Sequence, residues 1–188
     1  EVSSNILVLK GDLTEKYLGL KEEEFKDLAT RIDAIIHSAA DVRHFGDREH
    51  FEKINVEGTQ NIFELVNVNP AIVFHHISTV GVVEDLLAEG KWGLLEGTTE
   101  MPEGLSVESV YTDTKMIAEK WILDKAKENK QVFVYRMGNL VGRYSDGKFQ
   151  SNIDANAFYR MLKLMILGKK APKVLWKVDF TPIDFASE

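Results

Sequence analysis

The stretch AIVFHHIST, Ala71–Thr79, decides the fold class. It is β-branched and aromatic, apolar on both of its faces, and it closes on two small hydroxyl residues, Ser78 and Thr79. A short run apolar on both faces reads as a strand buried on both sides, the pattern of a parallel sheet flanked by helices. Similar runs recur on either side of it. NILVLKGD (Asn5–Asp12), DAIIHSAA (Asp33–Ala40) and QVFVYRMGN (Gln131–Asn139) each end in small or polar residues. Between them lie helical patterns at Lys21–Arg31, Phe51–Val66 and Ser109–Asn129, the second with Phe51, Ile54, Gly58, Ile62 and Leu65 near a period of 3.6. Alternating strands and helices define an α/β domain with a parallel sheet and helices on both sides. In such a sheet a ligand belongs at the carboxyl ends of the strands: Gly11-Asp12, Ser38–Ala40, Ser78-Thr79 and Gly138-Asn139. Val82–Val107 is Gly-rich and acidic and reads as a surface excursion, and Asn152–Gly168 reads as a further helix with Phe158, Met161, Leu162, Met165 and Ile166 on its apolar side.

Composition narrows the function. The chain has 188 residues, 44% hydrophobic and 28% charged, enough for one domain with a sizeable core. Its formal net charge of −7 argues against generic nucleic-acid binding, although KVLWK (Lys173–Lys177) is a local basic patch. No apolar run reaches the roughly 18 residues of a membrane helix. The opening EVSSNILVLKGD has neither the basic start nor the cleavage site of a signal peptide. There is no cysteine, which removes disulfides, thiolate metal sites and a cysteine nucleophile, and fits a cytoplasmic protein.

Tyr111 and Lys115 in SVYTDTKMIAEKW (Ser109–Trp121) are four apart, so a helix presents both on one face, which Ala118 and Ile122 continue. Taken alone, the pair also fits a tyrosine packed on the core with a lysine snorkelling beside it. Thr79 adds chemistry. A hydroxyl at the end of a parallel strand lies at the cleft where the next helix can present Tyr111. Lys115 is expected to lower the Tyr111 pKa by its charge, Tyr111 to donate a proton to a developing alkoxide, and Thr79 to hydrogen-bond the same oxygen.

The motifs GDL (Gly11–Leu13), HSAA (His37–Ala40), NVEGT (Asn55–Thr59), HIST (His76–Thr79), YTDTK (Tyr111–Lys115) and YRMGNLVG (Tyr135–Gly142), in this order, resemble those of the extended short-chain dehydrogenase/reductases. AADVRHFGDREHF (Ala39–Phe51), RMGNLVGRYSDGKF and VDFTPIDF (Val178–Phe185) resemble the thioester reductase domains of nonribosomal peptide synthetases and the carboxylic acid reductases. The resemblance implies a Rossmann-like doubly wound parallel sheet. It also implies NADPH as cofactor, a phosphopantetheine-bound acyl or peptidyl carrier domain as partner, and reductive release of an aldehyde or alcohol. Carried over by residue, Thr79, Tyr111 and Lys115 match the catalytic triad, with Ser78 the alternative hydroxyl. Lys115 also matches the residue that binds the nicotinamide ribose. Asn55 matches an asparagine that orders a water in the proton relay. Asp12 and Leu13 match the pair beside the adenine, Ser38, Ala39 and Ala40 the dinucleotide lining, and Met137, Gly138, Asn139 and Leu140 the segment passing the nicotinamide. Other readings remain: a fatty acyl-CoA reductase, a sugar-nucleotide epimerase or dehydratase (against which ADVRHFGD counts), or a non-catalytic Rossmann-like module.

The family's glycine-rich phosphate loop does not occur in the chain. The fold is therefore expected to be N-terminally truncated, lacking the first two strands and that loop, with residues 1–143 a partial NADP-binding domain, 144–177 the start of a substrate lobe, and 178–188 a return segment. NILVLKGD then lacks its native neighbours, and the exposed edge invites self-association. No metal site is expected. His75 and His76 point to opposite faces of a strand, His44 and His50 lack companion ligands, and Asp179 and Asp184 read as turn caps around Pro182.

Overall fold

The computed structural model describes residues 5–43, 45–84, 86, 101, 104–105, 109–128, 131–151, 153–173 and 179–188. His44, most of the Val82–Val107 excursion and most of KVLWK lie outside these residues. The chain forms two compact units, Glu1–Arg136 and Met137–Glu188.

In the first unit, α1 (Glu22–Arg31) carries three glutamates in its first turn and Arg31 in its last, matching the helix dipole. Its Phe25 and Ala29, one turn apart, are buried. β1 spans Ala34–His37. α2 (Arg48–Phe51) is capped by Asp47 and runs on through a π-helical stretch, Glu52–Glu57, into α3 (Gly58–Val68). β2 (Val73–Thr79) leads into a short turn at Val80–Val83. α4 (Val110–Lys127) starts at Ser109, whose side chain accepts the Thr112 amide. β3 is Val132–Met137.

The sheet order is β1-β2-β3. β1 and β2 are parallel, with Ile35 opposite Phe74 and His37 opposite His76. On the other side of β2, the Phe74 amide donates to the Gln131 carbonyl at 2.8 Å. One face of the sheet meets the helices. There Phe63 sits edge-on to Phe74 and Trp121, with ring centroids 5.1 and 5.2 Å apart, and Phe25, Ala29, Ile35, Ile72 and Ile122 complete the core. Full burial of a side chain such as Phe63 contributes about 1.5–3 kcal/mol. On the opposite face His75 stacks on Phe133 at 5.3 Å and bonds Tyr135 through Nδ1 at 2.8 Å, while Ile36, Phe133 and Tyr135 are exposed.

Two expectations are corrected here. NILVLKGD is not a strand: residues 6–12 have no regular structure, and Ile6, Leu7, Val8 and Leu9 are exposed. A strand persists by pairing its amides and carbonyls, and β1 and β2 pair with each other while this segment joins no sheet. Val82 and Val83, assigned to a surface excursion, are buried in the core.

In the second unit, β4 (Leu140–Val141) pairs in parallel with β5 (Thr181–Pro182). Asp179 accepts the Asn139 amide at 3.0 Å, and Asp184 accepts those of Tyr144 and Ser145 at 2.9 and 3.1 Å. Asp184 thus caps the turn at 144–146, while Asp179 holds the irregular link between β3 and β4. These amides, that of Tyr144 first, hold the Asp184 carboxyl down to about 2. α5 (Ala157–Gly168) begins later than the sequence pattern implies, because Asn156 caps it by accepting the Tyr159 amide at 3.2 Å. Phe158, Met161, Leu162 and Met165 are half-buried, whereas Ile166 is exposed. α6 (Ile183–Ser187) closes the unit.

Among the described residues no helix is long and apolar enough to cross a membrane, and no cluster of His, Asp and Glu is arranged to hold a metal.

Candidate active site

Alternation along β2 separates the two candidate hydroxyls. Phe74, His76 and Ser78 are buried, while His75, Ile77 and Thr79 are half-buried. Ser78 Oγ is committed inward, donating to the buried Glu119 Oε2 at 2.5 Å. Thr79 ends the strand, and its Oγ1 accepts the Gly81 amide at 3.2 Å, which leaves the hydroxyl proton to donate.

α4 docks on this strand end at several points. Lys115 Nζ donates to the Ile77 carbonyl at 2.7 Å, two residues before Thr79. Gly81, two residues after Thr79, lies so close to α4 that a Cβ there would be 3.4 Å from Thr112 Cγ2. Arg48 of α2 reaches Asp113 at 2.6 Å. Asn55, in the π-helical stretch, donates from Nδ2 to Thr114 Oγ1 at 3.0 Å and to the Asp41 carbonyl at 3.1 Å, and accepts the Asp41 amide at 2.7 Å. The extra residue per turn of a π-helix re-aims the side chains that follow. Here it accompanies a buried Asn55 that joins the loop after β1 to α4.

The electrostatics differ from expectation at one residue. Burial raises the Tyr111 pKa, where a lowering by the charge of Lys115 was expected. The Lys115 ammonium is held by the Ile77 carbonyl, and its own pKa falls to about 8, mainly through burial, with Glu119 opposing the fall. Two buried histidines adjoin it. His76 Nε2 is 3.5 Å from Lys115 Nζ, and burial, then the Lys115 charge, takes His76 to about 2. His37 is taken to about 4 by the same two causes. Thr59 Oγ1 donates to the Asn55 carbonyl at 2.7 Å, so its 3.0 Å contact with His37 Nε2 requires that nitrogen to be the donor. His76 Nδ1 is buried with no partner among the described residues.

The expected cofactor positions fall at chain turns. Asp12 Oδ1 accepts the Thr14 amide and hydroxyl at 2.8 and 2.7 Å, and the Leu13 carbonyl accepts Asn61 Nδ2 at 2.7 Å. Ser38 and Ala39 follow β1 and are exposed, and Ala40 is half-buried. Small exposed residues at a strand's carboxyl end fit a dinucleotide lying against the backbone. Met137, Gly138, Asn139 and Leu140 belong to the second unit, where the Asn139 amide is taken by Asp179. Reading the sequence missed Glu119, His37, His76 and Thr114. A glutamate one turn past Lys115 on the same face was the available signal for Glu119, and the others stand inside the motifs HSAA, HIST and YTDTK, which do not say what their side chains touch.

The parallel sheet with its packed helices is a Rossmann-like fold of the short-chain dehydrogenase/reductase kind. Residues 1–188 match the family model described as male sterility protein, an NAD-binding family, and the chain belongs to that family. It is 30% identical over 199 residues to the glycine betaine reductase ATRR of Emericella nidulans, covering 100% of this chain and 14% of that protein. Among solved structures, the terminal R domain from the myxalamid PKS-NRPS biosynthetic pathway is similar at a TM-score of 0.77 and 28% identity, over 95% of this chain and 44% of that one. A thiolation-reductase di-domain from an archaeal non-ribosomal peptide synthetase is similar at a TM-score of 0.69 and 31% identity, over 87% and 43%. The chain therefore spans less than half of these solved proteins. Both the Rossmann-like fold and the likeness to terminal reductase domains agree with the sequence motifs.

Proposed function

We propose that the chain is the proton-transfer portion of an NADPH-dependent thioester reductase, which releases a carrier-protein-bound acyl or peptidyl thioester as an aldehyde or alcohol. The observation that carries this reading is the docking of α4 on the end of β2. Lys115 is tied to the Ile77 carbonyl and Gly81 lies against Thr112, so Thr79 is bracketed by contacts to the helix turn that bears Tyr111. The thiolation-reductase architecture of one similar protein supports a carrier domain as partner.

Each residue has a role in this reading. The raised pKa of Tyr111 keeps its phenol protonated at neutral pH, the form required to donate to the oxygen that develops negative charge at the thioester carbonyl. Thr79 donates a hydrogen bond to the same oxygen. Lys115 places a positive charge one helical turn from the phenol and stabilises the tyrosinate left after transfer. Asn55 uses both Nδ2 protons and one Oδ1 lone pair within the protein, so its main part is to hold α4 and the Asp41 loop in register. Bound NADPH supplies the hydride. Asp12, Leu13, Ser38, Ala39, Ala40 and Lys115 of the first unit would hold it.

The test is turnover by the intact protein that carries this chain. NADPH absorbance should fall when an acyl group is presented on a phosphopantetheinylated carrier domain, with aldehyde or alcohol recovered. Turnover of a sugar nucleotide, or of acyl-CoA with the carrier thioester inert, contradicts the reading.

A further inference from the structure

Glu119 is the one fully buried carboxylate described in the first unit, and the catalytic reading above leaves it without a task. It lies one turn past Lys115 on α4. Its Oε1 accepts Arg136 Nε and Nη2 at 2.8 and 2.6 Å, and its Oε2 accepts Ser78 Oγ at 2.5 Å. One carboxylate thus joins α4, β2 and β3. Arg136 Nη2 also lies 3.4 Å from Met101 Sδ.

A buried carboxylate needs a cation and hydrogen bonds to stay charged. Arg136 meets that need, two-pronged, on one oxygen. The second oxygen is spent on Ser78, the residue before Thr79, where it fixes the strand end that carries the candidate hydroxyl. The groups around Lys115 complete the case. From β2 comes His76, from β1 His37, from α4 Glu119, and from β3 Arg136, bound to Glu119. Both histidines are neutral near pH 7. Glu119 is the negative member of this set, and its field opposes the loss of the Lys115 proton that burial promotes.

We infer that Glu119 is a positioning residue of the reductase, which holds the Ser78–Thr79 strand end against α4 and supplies the negative charge that keeps the Lys115 ammonium charged at the Ile77 carbonyl. This rests on the catalytic reading of Thr79, Tyr111 and Lys115.

The experiment is the pH dependence of kcat for Glu119→Gln, Glu119→Asp and Ser78→Ala in the intact protein, with Tyr111→Phe alongside. Glu119→Gln keeps the shape, removes the charge and leaves Arg136 as an uncompensated positive neighbour. Its alkaline limb should move at least about one pH unit toward acid, an approximately tenfold loss of rate above the limb. Glu119→Asp should return the limb toward wild type. Ser78→Ala should lower kcat by about tenfold or more through misplacement of the strand end, with the limb unmoved. Folded Glu119→Gln with the wild-type limb and kcat, while Tyr111→Phe is inactive, overturns the inference and leaves the catalytic reading intact. Full activity of Tyr111→Phe overturns both. If thermal melts show Glu119→Gln unfolded, Ser78→Ala decides: wild-type kcat in that variant overturns the inference.

Discussion

Asn55 donates from Nδ2 to Thr114 Oγ1 at 3.0 Å, across 59 residues of chain. Thr114 Oγ1 in turn donates to the Val110 and Tyr111 carbonyls at 2.9 and 3.0 Å. The first turn of α4, which bears Tyr111, is therefore bonded to the helix that also holds the Asp41 loop after β1. The loop expected to line the cofactor and the helix expected to transfer the proton are joined by one buried amide.

Asn55→Ala removes partners from the Asp41 amide, the Asp41 carbonyl and Thr114. Each buried polar group left unsatisfied costs about 1–3 kcal/mol, and partial rehydration of the Asp41 loop should limit the total to roughly 2–4 kcal/mol. Denaturant unfolding measures the loss, and amide exchange should show it concentrated at the start of α4. Uniform exchange with unchanged stability contradicts the coupling.

The buried histidines set an acid limit. His37 is depressed from 6.5 to about 4 and His76 to about 2, so both are neutral in the folded protein while the unfolded chain takes up protons below pH 6.5. The unfolded state then binds more protons, and stability falls as pH drops from 6.5 toward 4 for His37 and on toward 2 for His76. The His37 share approaches about 3 kcal/mol at the bottom of its window. His37→Gln should flatten the slope of unfolding free energy between pH 6.5 and 4, read by denaturant titrations at stepped pH.

Lys115 shows the opposite relation of stability to function. With its folded pKa near 8 against 10.5, the unfolded state binds more protons between those values, so stability rises with pH from 8 to 10.5. Lys115→Met should abolish that rise and be no less stable than wild type at pH 7, while turnover falls by about a hundredfold or more. A variant that is inactive because it is unfolded contradicts this account.

Gly138 has no room for a side chain. A Cβ there would collide with the Asp179 carboxylate and lie 2.5 Å from Thr181 Oγ1. Gly138→Ala must displace the carboxylate and break its bond to the Asn139 amide, for about 1–3 kcal/mol in the second unit. Adding Asp179→Ala should recover part of the loss, so the double variant should be less destabilised than the sum of the single ones.

Much of this was legible in the sequence because local pattern and packing agree. Val73–Thr79 is a strand by its β-branched and aromatic run, and α4 begins where Ser109 can cap it. NILVLKGD has an equally strong strand pattern and is not one, because a strand needs a hydrogen-bonded neighbour that composition cannot reveal. Tyr111 and Lys115 share a helix face by their spacing, and their pairing with Thr79 rests on the order of the motifs and the family resemblance. The direction of the Tyr111 shift followed from none of these, since it depends on how deeply the helix turn is buried and on where the Lys115 ammonium is held. Glu119 and Asn55 likewise take their parts from contacts 41 and 59 residues away.

In the proposed function Tyr111 delivers the proton in a hydride-transfer reaction on a carrier-bound thioester. The most direct measurement is single-turnover NADPH oxidation by wild type and Tyr111→Phe of the intact protein, with carrier thioester saturating. In Tyr111→Phe the chemical rate should fall by about a hundredfold or more with unchanged stability and cofactor affinity. A Tyr111→Phe variant that turns over within a few-fold of wild type contradicts it.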